Sequence, residues 1–210
     1  MSLSVEVISD VICPWCLIGK RRLEKAIATL GVPVNVRWHA FQLNLTMPKE
    51  GVSRREYRTK KFGSWERSMQ LDANIVATGK DEGVLFDFDR MERTPNTLDA
   101  HRLIWLADKQ GVQDAVVEAL FMAYFTEGKD ISNRQTLLDV AAEAGLDRSK
   151  AEGVLNSSDG EEAIREAHEL SRRVRVEVVP FFIINGKVTL SGAQPPDAFL
   201  AAFKEAVGSR

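Results

Sequence analysis

Cysteine is nearly absent from this chain: 210 residues hold two. A disulfide-stapled scaffold is thereby excluded, since such scaffolds need a dense Cys framework. Long apolar runs are missing as well. None approaches the roughly 18 residues of a membrane-crossing helix, so no membrane span is expected. Neither sign of charge dominates. Lys plus Arg number 28, Asp plus Glu 30, and the formal net charge is −2. No global electrostatic case exists for binding nucleic acid or an anionic membrane. With 14 Gly and 7 Pro there is no room for long disordered tracts, and no internal repeat or low-complexity segment is present. The N-terminus, Met1-Ser2-Leu3-Ser4-Val5-Glu6-Val7, lacks a basic region followed by an apolar stretch, so no signal peptide and a cytoplasmic location are expected. What remains is ordinary for a globular protein, with 44% hydrophobic and 28% charged residues. That length can bury a real core, as one large domain or one domain carrying an insertion.

Both cysteines fall within four residues, Cys13-Pro14-Trp15-Cys16. They follow a strand-like run through Val5, Val7 and Ile8 and open a helix-like run that reaches Leu30. A bridge across two residues closes so short a loop that it restrains the unfolded chain weakly. Reversible switching between dithiol and disulfide explains the spacing better. A redox pair needs an exposed, partly ionised sulfur to reach a partner and a sheltered one to resolve the mixed disulfide from inside. Cys13 is expected at the helix cap, where free N–H groups and the helix dipole favour an anion. Cys16 is expected about one turn in, on the face of Leu23, Ile27 and Leu30, with Lys20, Arg21 and Lys25 off that face. Pro14 suits the first turn because it has no N–H to lose there, and Trp15 offers an apolar platform beside the attacking sulfur. On the residues alone two other readings stay open. A zinc site would need two further ligands at workable spacing, and His39, His101 and His168 are scattered. An inert pair of core cysteines is the other.

Around this pair the chain reads in three stretches, with boundaries at 1–50, 51–173 and 174–210. Val34, Val36 and Trp38 alternate with Asn35, Arg37 and His39, a period-two strand, so the first stretch is β-α-β. From Ser53 to Arg173 helical signals dominate. Ser53-Arg54-Arg55-Glu56, Ser132-Asn133-Arg134-Gln135 and Ser158-Asp159-Gly160-Glu161 each fit a capping box. Residues 97–109, 113–125 and 134–144 repeat apolar side chains three and four apart, with Leu103, Leu106, Leu120, Leu137 and Val140 as core candidates. Residues 84–88 read as a short extended piece. The cationic run Arg54, Arg55, Arg58, Lys60 and Lys61 reads as a solvated helix face. Its alternative is the docking face of a binding or chaperone module, with Phe62 and Trp65 beside it.

The last stretch is β-β-α. Residues 174–179 return to β character and lead through Pro180 into Phe181-Phe182-Ile183-Ile184. Asn185-Gly186 predicts a two-residue hairpin turn before Val188-Thr189-Leu190. Pro195-Pro196 starts an amphipathic helix through Phe199, Leu200 and Phe203. Pro180 lacks the donor that a strand ladder needs. A cis Val179–Pro180 bond would turn the chain and leave Val179 backbone groups free for a substrate; the plainer reading is a trans proline at a strand start.

Four strings narrow this further: Val11-Ile12-Cys13-Pro14-Trp15-Cys16, Pro95-Asn96-Thr97-Leu98-Asp99-Ala100-His101-Arg102, Val179-Pro180-Phe181-Phe182 and Ser191-Gly192-Ala193-Gln194-Pro195. Together they resemble the DsbA-like branch of the thioredoxin-fold superfamily, and within it the FrnE-like group often labelled 2-hydroxychromene-2-carboxylate isomerase/DsbA-like. The resemblance covers nearly the whole chain. It implies an α/β thioredoxin fold with an inserted α-helical domain, and a protein thiol-disulfide oxidoreductase or isomerase. It implies that Cys13 attacks, Cys16 resolves and a cis Pro180 faces them, with Pro14, Trp15, Val179, Asn96 and Gln194 at the substrate. The expected groove is apolar and floored by Trp15 and Pro180. On the residues alone Asn96 equally caps a helix beginning at Thr97, and Gln194 the last helix.

The implied partners are protein or small-molecule thiols and disulfides. No cofactor is expected to be held permanently, and glutathione is the candidate thiol co-substrate. Trp15 stands where the DsbA pattern carries His, which removes one source of thiolate stabilisation. A couple less oxidising than the about −120 mV of DsbA is therefore expected. Leu45, after the family-like segment Trp38-His39-Ala40-Phe41-Gln42-Leu43-Asn44, stands where Pro is usual. The neighbouring class is the glutathione-dependent transferase or isomerase of the kappa type, similar in its inserted domain but typically with Ser where Cys13 stands.

Overall fold

A computed structural model of the protein describes residues 3–208. Strand β1 (Leu3–Ser9) leads into helix α1 (Pro14–Leu30) and strand β2 (Val34–Ala40). The strands pair in parallel, from Leu3 opposite Val34 to Ser9 opposite Ala40. A helical block follows: β3 (Val52–Ser53), α2 (Arg54–Phe62), α3 (Trp65–Asp81), β4 (Arg93–Thr94), α4 (Leu98–Gln110), α5 (Gln113–Phe125), α6 (Arg134–Glu143), α7 (Arg148–Asn156) and α8 (Glu161–Arg173). The chain then returns to the sheet through β5 (Phe181–Ile184) and β6 (Val188–Ser191) and ends in α9 (Pro196–Gly208). The four-stranded order is β2-β1-β5-β6, while β3 and β4 form a separate two-residue ladder. Central β1, flanked on both sides, is apolar and buried at Val5, Val7 and Ile8, as a strand covered on both faces must be. On the outer edge of β2 the Gln113 side chain satisfies both backbone groups of Trp38, accepting at 2.9 Å and donating at 3.0 Å. An edge strand is thereby closed.

The buried side chains of the sheet, α1, α4, α5 and α6 form one connected apolar core. Leu103, Leu106, Leu120, Leu137 and Val140 are all in it, as their spacing predicts. Helix α5 docks on the sheet through an edge contact of Phe121 with Trp38, ring centroids 6.4 Å apart.

Several local expectations are corrected. Residues 84–87 form irregular chain before a single 3₁₀ turn, not a strand. Their apolar character comes from Phe86, which stacks on Phe88 at 5.2 Å and meets Phe125 edge-on at 5.3 Å. Residues 174–179 are likewise irregular, broken by Arg175 at φ 54, and the strand begins only at Phe181. Ser53 caps α2 as expected, accepting from the Glu56 N–H. At α6 the cap is Asn133, one residue later than the predicted Ser132, whose hydroxyl is drawn instead to Asp130 Oδ1 at 2.5 Å and the Glu50 carbonyl at 3.1 Å. At α8 it is Gly160, at φ 85, rather than Ser158. The Asn185-Gly186 turn has both residues at positive φ, as its type requires. Ile184 pairs with Val188, however, so one residue more than predicted is accommodated. Lys20, expected off the core face of α1, is almost wholly buried. It meets Glu24, Asp114 at 3.1 Å and Glu118 at 3.2 Å, and so ties α1 to α5.

Candidate active site

Cys13 is the N-cap of α1 and Pro14 its first residue. The Cys13 N–H donates to the Asp10 carbonyl at 3.0 Å, and the Cys16 N–H to the Cys13 carbonyl at 3.0 Å. Both cysteines are free thiols. Cys16 is fully buried, and burial, then Cys13, pushes its thiol well above the ordinary range. The Ser9 side chain and the Asp10 backbone pull the other way. Cys13 is less exposed than the redox reading expects, at 6%. The loop before Pro180 covers it: the thiol donates to the Val179 carbonyl at 3.7 Å. That acceptor is therefore engaged rather than free.

The Val179–Pro180 peptide is cis. Pro180 packs on α1 at Gly19, where an added Cβ would stand 2.7 Å from Pro180 Cγ and 3.2 Å from the Phe182 ring. Only a residue without a Cβ permits so close an approach. Sequence reading passed over Gly19, since nothing local marks it.

On the other side of Cys13 lies a cavity of about 420 Å³, within the range of small-molecule sites. Cys13, Pro14 and Trp15 line one wall, and α2, α3, the end of α5, Leu43, Asn44 and the Phe88–Thr94 segment the rest. Trp15 is 40% exposed at its mouth, which suits the platform expected of it. Pro180 does not line this cavity; it lies on the opposite side of Cys13, next to the Val179 carbonyl that the thiol meets. Asn96 and Gln194 are elsewhere too. Asn96 donates to the Met47 carbonyl at 2.6 Å and accepts from the Leu98 N–H at 2.9 Å. It braces the start of α4 and faces a different, polar cavity with Asp99 and Arg102. Gln194 donates to the Ser191 carbonyl at 2.7 Å.

Three features escaped sequence reading. Arg54, Arg58 and Lys61 of α2 line the Cys13 cavity. Fully buried Asp10 accepts from the Leu43 N–H at 2.8 Å and lies 3.2 Å from His101 Nε2, joining the end of β1 to α4 directly behind the cysteines. Ser9 reaches Cys16 from the same strand end. The α2 residues had a usable signal: positions 54, 58 and 61 share one helix face. Asp10 and His101 are 91 residues apart, and no local pattern links them. Among the described residues no group of three or more His, Cys, Asp or Glu side chains is placed to hold a metal ion.

A parallel β-α-β unit, an antiparallel β-hairpin and helix, a helical block between them and a Cys-x-x-Cys pair capping the first helix define a thioredoxin fold of the DsbA type. The DSBA-like thioredoxin domain family matches residues 4–204. The chain belongs to that family. A probable DsbA oxidoreductase, SCO1869 of Streptomyces coelicolor, is 30% identical with a TM-score of 0.91, over 99% of this chain and 91% of that one. Two further structures share the fold at lower identity. The cytosolic disulfide reductase DsbM of Pseudomonas aeruginosa with GSH is 20% identical, TM-score 0.68, over 97% of this chain and 98% of that one. A 2-hydroxychromene-2-carboxylate isomerase is 18% identical, TM-score 0.70, over 98% and 95%.

Proposed function

We propose that this protein is a thiol-disulfide oxidoreductase working through Cys13 and Cys16. One observation carries the reading: Cys13 caps α1 on the wall of a cavity, with a fully buried second thiol one turn behind it. In the dithiol form the Cys13 thiolate attacks one sulfur of a substrate disulfide. A Cys13–substrate disulfide forms and the other substrate sulfur leaves as a thiolate. Cys16, once deprotonated, attacks the Cys13 sulfur, releasing the second substrate thiolate and closing the Cys13–Cys16 disulfide. Two electrons pass to the substrate; the reverse sequence oxidises a dithiol. Cys13 stands at the helix N-terminus, beside the backbone N–H groups of the first turn. Burial keeps Cys16 protonated until the mixed disulfide presents it with a target, so Cys13 is the first nucleophile. On substrate entry the Val179 carbonyl exchanges the Cys13 thiol for a substrate N–H.

The partners in this reading are thiols and disulfides, with glutathione as co-substrate, as the DsbM complex with GSH suggests. A cytoplasmic setting suits a chain whose two cysteines form one exchangeable pair. No described helix is long and apolar enough to cross a membrane. The likeness to the chromene-carboxylate isomerase keeps a glutathione-dependent isomerase or transferase as the second reading, favoured by the small-molecule size of the cavity. Insulin reduction and glutathione conjugation, measured side by side, separate the two. Cys13→Ser is expected to lower insulin reduction at least about a hundredfold, since the attacking sulfur is gone. Conjugation that survives Cys16→Ser while insulin reduction is absent in the wild type would favour the isomerase or transferase.

A further inference from the structure

We propose that the cavity beside Cys13 selects a small, largely apolar substrate bearing a negative charge, and that Arg58 and Lys61 read that charge. That the ligand undergoes thiol exchange rests on the reading above; the binding site does not.

Helix α2 is the source of the selectivity. Arg54, Arg58 and Lys61 recur at four- and three-residue spacing and share the face that lines the cavity, with Arg54 buried, Arg58 half-buried and Lys61 exposed, while Arg55 and Lys60 are exposed and do not line it. The run that reads as a solvated face is thus divided between water and the site. Elsewhere the lining is dominated by apolar groups, among them Ile12, Leu71, Ile75, Met91 and Phe125. Among the described residues no Asp or Glu is on the wall. Behind it stands one carboxylate, Asp72, which serves two guanidinium groups: Arg54 at 2.6 Å and Arg58 at 2.6 Å. Lys61 has Tyr57 as its hydrogen-bond acceptor, at 3.1 Å, a neutral partner. Burial, countered by Asp72 and reinforced by Arg54, holds the Arg58 guanidinium below its ordinary range. An incoming anion relieves that excess of positive charge, and the apolar wall strengthens the attraction by excluding water. A cavity of about 420 Å³ holds a molecule of one or two rings, placing its body against Trp15 and its reacting atom beside Cys13.

Calorimetry with naphthoate and the neutral isostere naphthalenemethanol tests the site without thiol chemistry. Naphthoate is expected to bind about tenfold more tightly, a modest value for a partly desolvated charge contact. The preference should fall to about twofold in Arg58→Gln/Lys61→Gln and return with Arg58→Lys, which keeps the charge. Lys61→Gln alone, at an exposed position, is expected to lie between and guards against a misfolded double variant. In parallel, the reduced protein is mixed with dithiobis(nitrobenzoate), an anionic aromatic disulfide, and with neutral dithiodipyridine. The ratio of the two rate constants should drop about tenfold in the double variant, and drop in the wild type as salt screens the charges. Equal affinity for the two naphthalene probes, or a preference that survives the double substitution, overturns the proposal. A carboxylate preference with neither disulfide reduced rejects the thiol-exchange reading and leaves the anion site standing. Reduction of both disulfides with no charge preference does the reverse.

Discussion

The Lys20 cluster and the cationic face of α2 hold the same kinds of charge and differ in what answers them. Buried Lys20 has three carboxylates around it, Glu24, Asp114 and Glu118, and its neighbour Arg21 donates to Glu24 and Glu118. Burial alone would push the Lys20 ammonium down; the carboxylates outweigh it and hold it above its usual range. No capacity is left for a ligand, and the cluster acts as a clamp between α1 and α5. On α2, Arg54 and Arg58 share Asp72 and Lys61 rests on a phenol oxygen, all facing a cavity. Cations matched by acids fix architecture, whereas cations left in excess on a cavity wall are available for binding.

Substitution should separate the two regions by which property it damages. The largest effect is expected from Lys20→Met. Breaking a buried ion cluster by removing one partner costs about 3–5 kcal/mol when the remaining charges are buried. Here Glu24, Asp114 and Glu118 keep 30–57% side-chain exposure, so a loss of about 2 kcal/mol in denaturant unfolding is expected. Arg58→Gln should cost about 1 kcal/mol, because Asp72, itself only 9% exposed, keeps Arg54 as a partner, while charge selection at the cavity weakens. A clamp that proves dispensable beside an α2 that proves essential for folding would invert the comparison.

The smallest effect is a pH dependence. Burial pushes the Glu118 carboxyl up, but Arg21 and Lys20 more than offset this and hold it below the usual 4.5. Its folded-state value is depressed, so its stabilisation is present above pH 4.5 and is lost as the pH falls through the lower folded value. Glu118→Gln is therefore expected to melt below the wild type at pH 7, and the two curves should converge as the pH drops below 4.5. A gap that persists at low pH would assign the effect to packing.

What was legible in the sequence was local. The β-α-β start, the Cys13 cap and Pro14 follow from residues within one turn of each other. So does the turn at Asn185 and Gly186, although its extra residue depends on how Ile184 and Val188 meet across the hairpin. The α6 cap slipped by one residue because the Ser132 hydroxyl is held by the Asp130 carboxylate, two residues back, and by the Glu50 carbonyl, 82 residues back. Lys20 looked solvent-facing because its partner Asp114 lies 94 residues on. Asn96 and Gln194 sit in family-like strings, yet their side chains bond to nearby backbone rather than face Cys13. The α2 face was visible as a periodicity. That it turns toward Cys13 depends on how the helical block docks on the sheet.

In the proposed exchange Cys13 attacks and buried Cys16 resolves. Intact-mass analysis of the Cys16→Ser variant after exposure to oxidised glutathione tests it most directly. One glutathionyl group on Cys13 that persists in the variant, with the wild type passing on to the Cys13–Cys16 disulfide, is the predicted result. No adduct on the variant, or an adduct that persists equally on the wild type, would contradict it.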